Sequence, residues 1–105
     1  MDIESASQGF AAIGSEQRLA VLLMLVKAGR LGMTVGQIQE EMGMAPSTLA
    51  HHLRMLADGK LIIQRRDGRS VINRANFDHL EDLGSYLMRE CCAHEIVNIA
   101  KDGVA

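Results

Sequence analysis

The stretch from Thr34 to Arg74 constrains the fold most, because helix starts, helix stops and a turn follow one another with little slack. Thr34-Val35-Gly36-Gln37 fits a capping box, in which a hydroxyl and an amide three residues apart each satisfy a free backbone N–H of the first turn. A short helix follows, with Val35, Ile38 and Met42 directed inward, and it stops at Gly43. After the link Gly43-Met44-Ala45, Pro46 opens a second helix at a position where its missing N–H costs nothing. That helix runs to about Asp58 and ends at Gly59, with Leu49, His52 or Leu53, and Leu56 as its buried stripe. From Leu61 the periodicity changes. Two β-prone runs, Leu61 to Arg66 and Arg69 to Arg74, flank Asp67-Gly68, a dipeptide suited to a type I′ hairpin turn.

The flanks read as helices. Residues 3 to about 13 carry Ile3, Ala6, Phe10 and Ile13, and Gly14-Ser15 breaks the pattern. Ser15 can cap a second helix that runs to about Ala28, with Lys27 and Gly29 suited to its end. Its Leu19, Leu22, Leu23, Val26 stripe has the spacing of a core face. After the hairpin, Asn76 or Asp78 can cap a last helix with Leu80, Leu83, Leu87 and Cys91 about a turn apart; Ile96 to Ala100 continue it or fray. Two short helices joined by a glycine-containing turn, with a hairpin directly after, make a helix-turn-helix with a wing. The expected fold is mostly α with a β-hairpin wing, a single winged helix-turn-helix domain over 1–105, the helix-turn-helix at 34–59 and the wing at 61–74.

A chain of 105 residues with 48% apolar and only 3% aromatic side chains, and no Trp, has one small aliphatic core. It has more apolar helix than such a core covers, which points to a partner chain. The net charge of −2 is unevenly spread. Pro46 to Arg74 holds six basic residues (Arg54, Lys60, Arg65, Arg66, Arg69, Arg74) against Asp58 and Asp67, a local +4 within an acidic remainder. A local basic face is what a DNA binder needs. The two cysteines, Cys91 and Cys92, are adjacent and do not suggest a secreted disulfide scaffold. Met-Asp-Ile-Glu does not start a signal peptide, and the apolar run Leu19 to Val26 is too short to span a membrane. A soluble, cytoplasmic protein with no membrane role is expected.

On the helix that starts at Pro46, the outward positions are Ser47, Thr48, Ala50, His51 and Arg54. Ser, Thr, His and Arg side chains can contact base edges or phosphates, and the helix N-terminus favours a phosphate. His52 shares the buried stripe and weighs more as a structural or phosphate-anchoring histidine than as a base reader. Arg65, Arg66 and Arg69 at the wing suit the DNA backbone or minor groove. No nucleophile, base and orienting group stand together, and His51-His52 lacks the glutamate and spacing of a helical zinc-hydrolase motif, so no enzyme is expected.

The segment Met44 to Ile62, with Pro46-Ser47-Thr48-Leu49-Ala50-His51-His52-Leu53-Arg54 at its centre, resembles the recognition-helix signature of the ArsR/SmtB metalloregulator family. The wing Gln64-Arg65-Arg66-Asp67-Gly68-Arg69 resembles that family too. The likeness covers roughly residues 15 to 92. It implies a homodimeric repressor on double-stranded DNA with a palindromic operator, the helices at 1–14 and 77–100 forming the dimer interface, and an inducer that releases DNA. Leu31 to Gly36 contains no cysteine, so a cysteine site at the first helix of the helix-turn-helix is not implied. Tyr86-Leu87-Met88-Arg89-Glu90-Cys91-Cys92 is similar to the last helix of arsenical-responsive members, which carry a vicinal cysteine pair there and a third cysteine downstream. No cysteine follows Cys92 here. The resemblance thus implies no required cofactor and an inducer such as As(III), or another thiophilic metal, at Cys91 and Cys92. Three alternatives stand beside it: a thiol-redox sensor, a regulator without inducer, and a winged-helix protein-interaction module.

Overall fold

Four of the five α-helix starts have a side-chain cap in the computed structural model, which describes residues 1–95. Helix α1 (Ile3–Ile13) begins where the Ser5 N–H donates to the Asp2 carboxylate at 2.8 Å. Helix α2 (Glu16–Ala28) is capped by Ser15, and a single 3-10 turn, Gly29–Leu31, leads out of it. Strand β1 (Met33–Thr34) precedes α3 (Val35–Met42), whose capping box is complete: the Gln37 N–H donates to Thr34 Oγ1 at 3.1 Å, and the Thr34 N–H donates to Gln37 Oε1 at 2.8 Å. Helix α4 (Pro46–Asp58) follows, then β2 (Ile62–Asp67), β3 (Ser70–Ala75) and α5 (Phe77–Met88). Of the two candidate caps for α5, Asn76 accepts the His79 N–H at 3.3 Å, while Asp78 sits in the first turn. No single helix among the described residues is long and apolar enough to cross a membrane.

The three strands form one antiparallel sheet in the order β1-β3-β2. The two-residue β1 carries no periodic signal of its own, and the sequence does not announce it. The hairpin turn lies one residue later than the Asp-Gly pair suggests. Asp67 pairs with Ser70, leaving Gly68-Arg69 as the loop, and of these only Gly68 has positive φ (63°). That is the type II′ requirement, glycine first, rather than the type I′ turn that Asp67-Gly68 predicts.

The core gathers Val21, Leu22 and Leu25 of α2, Ile38 of α3, Leu49, Leu53 and Leu56 of α4, Leu61, Ile62, Ala75 and Leu83. The stripe expected to be the core face of α2 is therefore corrected. Only Leu22 of it is buried, whereas Leu19, Leu23 and Val26 are exposed, Leu23 by 47%. Helix α2 is apolar on two faces, and Val21, Leu22 and Leu25 win the core. Helix α1 likewise buries only its small residues Ala6, Gly9 and Ala12, leaving Ile3 and Phe10 outside. Small residues allow a close approach. A Cβ on Gly59, at the end of α4, would stand 2.8 Å from the Ala12 Cβ. Gly59 has an ordinary φ of −78°, so its role is space; Lys60 takes the left-handed conformation after it. Gly59→Ala is expected to push α1 off α4 and destabilise by about 1–3 kcal/mol, the usual range for overpacking, read as a lower urea midpoint at unchanged slope.

Helix α5 ends at Met88, so the Leu80–Leu83–Leu87–Cys91 stripe is cut short: Leu83 is buried, Leu87 is 64% exposed, and Cys91 and Cys92 lie in turns beyond the helix. The expectation for Ile96 to Ala100 falls outside the described residues.

Candidate nucleic-acid interface

The rotation of α4 is set by Leu49, His52, Leu53 and Leu56, all buried against the core. Ser47, Thr48, Ala50, His51 and Arg54 are consequently exposed on the other side, as their spacing predicts. Pro46 occupies the first turn, and Ala45 before it offers no side-chain cap. The first-turn N–H groups thus face outward without a side-chain acceptor, an arrangement suited to an anion.

His52 is not on this outward face. It is 7% exposed, and its Nε2 lies 3.0 Å from Gln17 Oε1 on α2. An amide oxygen only accepts, so the proton sits on Nε2. Nδ1 is buried without a hydrogen-bond partner among the described residues. Burial pushes the His52 pKa down, and the charges of Arg18 and His51 push the same way. The ring is a neutral tie between α2 and α4, the structural place its position in the buried stripe suggests, and it stands apart from the exposed candidate DNA contacts.

Strand alternation divides the wing arginines. Arg66 shares a sheet face with Ile62 and Gln64 on β2 and with Val71 and Asn73 on β3. This face looks toward α4 across a cleft of about 280 Å³ lined by Ala50, Leu53, Arg54, Gln64 and Val71 among others. Arg65 pairs with Ile72 on the opposite face. Arg69 is in the turn. Arg66 therefore shares the sheet face that looks toward α4, Arg65 does not, and Arg69 lines a hollow at the wing tip with Thr34, Val35 and Gly36 at the start of α3. The base of the wing is fixed by Asn73, a buried residue that sequence reasoning passed over. Its Oδ1 accepts from Gln64 Nε2 at 2.8 Å, and its Nδ2 donates to the Met33 carbonyl at 3.4 Å and to the Val71 carbonyl at 3.5 Å. The one available signal was an asparagine in the middle of a β-prone run.

The family model for the helix-turn-helix domain matches residues 13–65, from the end of α1 into the wing. The chain belongs to the helix-turn-helix domain family. Solved structures extend the likeness to the wing and the flanking helices. An ArsR-like transcriptional regulator from Rhodococcus is 22% identical, with 97% of this chain and 93% of that one covered and a TM-score of 0.79. HlyU from Vibrio cholerae is 23% identical, with 88% and 99% covered and a TM-score of 0.68. A homodimeric winged helix-turn-helix DNA-binding domain from Mycobacterium bovis, described as a possible ArsR-family regulator, is 23% identical, with 85% and 82% covered and a TM-score of 0.66. No curated protein sequence matches the chain. This helix-turn-helix protein thus has the winged fold seen in ArsR-type regulators.

Two further features of the helix-turn-helix protein bear on regulation. Ile3 and Phe10 of α1, Leu19, Leu23 and Val26 of α2, and Leu87 and Met88 of α5 are large apolar side chains left exposed on the single chain. Cys91 and Cys92 are also exposed, with their Sγ atoms 3.1 Å apart and Cys92 in the left-handed region at φ 65°. A hydrogen bond to Cys91 holds the Cys92 thiol pKa up at about 11, helped by a hydrogen bond to Glu95 and by the Cys91 charge. Cys92 is therefore a neutral thiol at pH 7. No group of three His, Cys, Asp or Glu side chains placed to hold a metal ion occurs among the described residues. Two sulfurs this close suit one soft centre, and a third donor has to come from elsewhere.

Proposed function

We propose that this protein is a homodimeric transcriptional repressor of the cytoplasm that binds a palindromic operator and is released by a thiophilic metalloid, As(III) foremost, at Cys91 and Cys92. The observation that carries the DNA reading is the outward face of α4, with Ser47, Thr48, His51 and Arg54 exposed, together with the exposed Arg66 and Arg69 of the wing. In the major groove Ser47, Thr48, His51 and Arg54 contact base edges or phosphates, while the helix N-terminus at Pro46 favours a phosphate. Arg66 and Arg69 add salt-sensitive, sequence-tolerant grip.

The exposed apolar residues of α1, α2 and α5 support a second copy as partner, and a homodimeric neighbour of the same fold agrees with this. A twofold dimer sets two α4 helices to half-sites about 34–36 Å apart. Cys91 and Cys92 follow α5 directly, so a ligand held by them acts next to that apolar surface and can favour a dimer with the wrong spacing. As(III) prefers three thiolates; the pair supplies two, and a small thiol or a partner chain supplies the third.

On an operator selected from random duplexes, saturating arsenite is expected to lower wild-type affinity about tenfold or more, the range of ordinary allosteric coupling. The Cys91→Ser, Cys92→Ser double variant should bind equally well and ignore arsenite. Unchanged wild-type binding in arsenite sinks the inducer assignment. Failure to enrich any motif removes the DNA reading and favours a protein-interaction module.

A further inference from the structure

We propose that the outer face of the sheet is a binding site for a small amphipathic oxyanion, its head held by Arg30, Arg65 and Arg74 and its short apolar part laid on Leu31 and Ile72. These five residues line one hollow of about 300 Å³, and no acidic residue is among them. The volume sits at the small end of the range for small-molecule sites, about 300–1,000 Å³.

Three separate segments build the hollow. Arg65 of β2 lies opposite Ile72 of β3, so Arg74, two residues along β3, is its diagonal neighbour on the same face. Diagonal positions are about 7–8 Å apart, within reach of two long side chains. The 3-10 turn Gly29–Leu31 closes the third side, and Gly32, with positive φ, brings it down onto β3. Arg30 is steadied there, its guanidinium 5.8 Å from the centroid of the Phe77 ring.

The charge pattern points to an anion. Three arginines lining one hollow repel one another, and an oxyanion relieves that repulsion while accepting forked N–H pairs. The apolar wall points to a ligand with more than a head. Leu31 is 89% exposed, standing in water beside three cations. This face is turned away from α4, so the site is independent of the operator reading, and its failure or success leaves that reading untouched.

The test is a nuclear magnetic resonance titration of the full chain with hexyl phosphate, following the guanidinium Nε–H signals. The signals of Arg30, Arg65 and Arg74 are expected to shift together and saturate, while Arg69 stays still. Inorganic phosphate should bind more weakly at the same three arginines, and hexanol should not move them. Arg65→Ala, at an exposed position, and Arg74→Gln should each weaken hexyl phosphate by about tenfold, the size of one charge-assisted hydrogen bond. The wild-type titration decides even if a variant folds poorly. Equal shifts at Arg69, or shifts confined to α1 and α2, overturn the proposal. So does a result in which hexyl phosphate moves nothing while Arg65→Ala lowers the salt slope of random-duplex binding by about one, which assigns these arginines to a DNA phosphate.

Discussion

Replacing Thr48, His51 and Arg54 together by alanine is expected to abolish operator preference while leaving helix content and thermal midpoint near wild type. All three are exposed on α4, so their removal opens no cavity. A good base contact discriminates by about 1–3 kcal/mol, so the triple variant should lose on the order of 10³-fold in specific affinity. Random-duplex affinity should fall far less, because Arg66, Arg69 and the α4 N-terminus still meet phosphates. Anisotropy titrations on the selected operator and a random duplex, at two salt concentrations, separate the two effects. A triple variant that keeps its preference for the operator would show that α4 is not the reader. Arg66→Ala with Arg69→Ala should weaken both duplexes alike and lower the salt slope by about two, whereas Arg65→Ala, on the opposite sheet face, should leave operator binding alone.

Gly32→Ala is expected to be the most destabilising single-methyl change in the chain. Gly32 has φ 70° and ψ −165°, a region essentially reserved for glycine. A Cβ there would collide with the Asn73 carbonyl oxygen and meet the Arg74 Cβ at 3.1 Å. The carbonyl belongs to the central strand and cannot yield without loosening β1 from β3. Strain and overpacking, each toward the upper part of its usual range of about 1–3 kcal/mol because the clash is with backbone, add to roughly 3–6 kcal/mol. At about 4–8 °C per kcal/mol for a domain of this size, the midpoint should drop by more than about 12 °C. Gly29→Ala is the control. Gly29 has nearly the same backbone (φ 71°, ψ −154°) but nothing within 4 Å of its absent Cβ, so it should show the strain without the collision. Equal losses at both positions would refute the collision.

Local chemistry made much of this fold legible. Ser15, Thr34 and Asn76 announce helix starts because a cap needs only neighbours in sequence. The face of α2 was not legible, because an all-round apolar helix leaves the choice to tertiary packing, and the longer stripe was the one left outside. The turn slipped by one residue because Asp67-Gly68 and Gly68-Arg69 both place Gly68 at positive φ; only strand register separates them. The end of α5 was misplaced because past Leu83 its stripe reaches no core, and further helical turns gain nothing to offset their ordering. In the candidate site, the outward residues of α4 followed from its stripe. Two residues stand apart from that face: His52 is buried on the core side, where its place in the stripe puts it, and Arg65 lies on the opposite face of the sheet.

Met33 and Asn73 are joined across forty positions of sequence, through strand pairing and the Asn73 side chain. Their junction shuts α3, α4 and the hairpin into a single ring of backbone. During synthesis that ring stays open until β3 has left the ribosome. Helices α3 and α4 can coil early from neighbouring contacts, but the hairpin has no seat before then. A nascent chain therefore carries α4 without its wing until β3 has emerged and closed that ring.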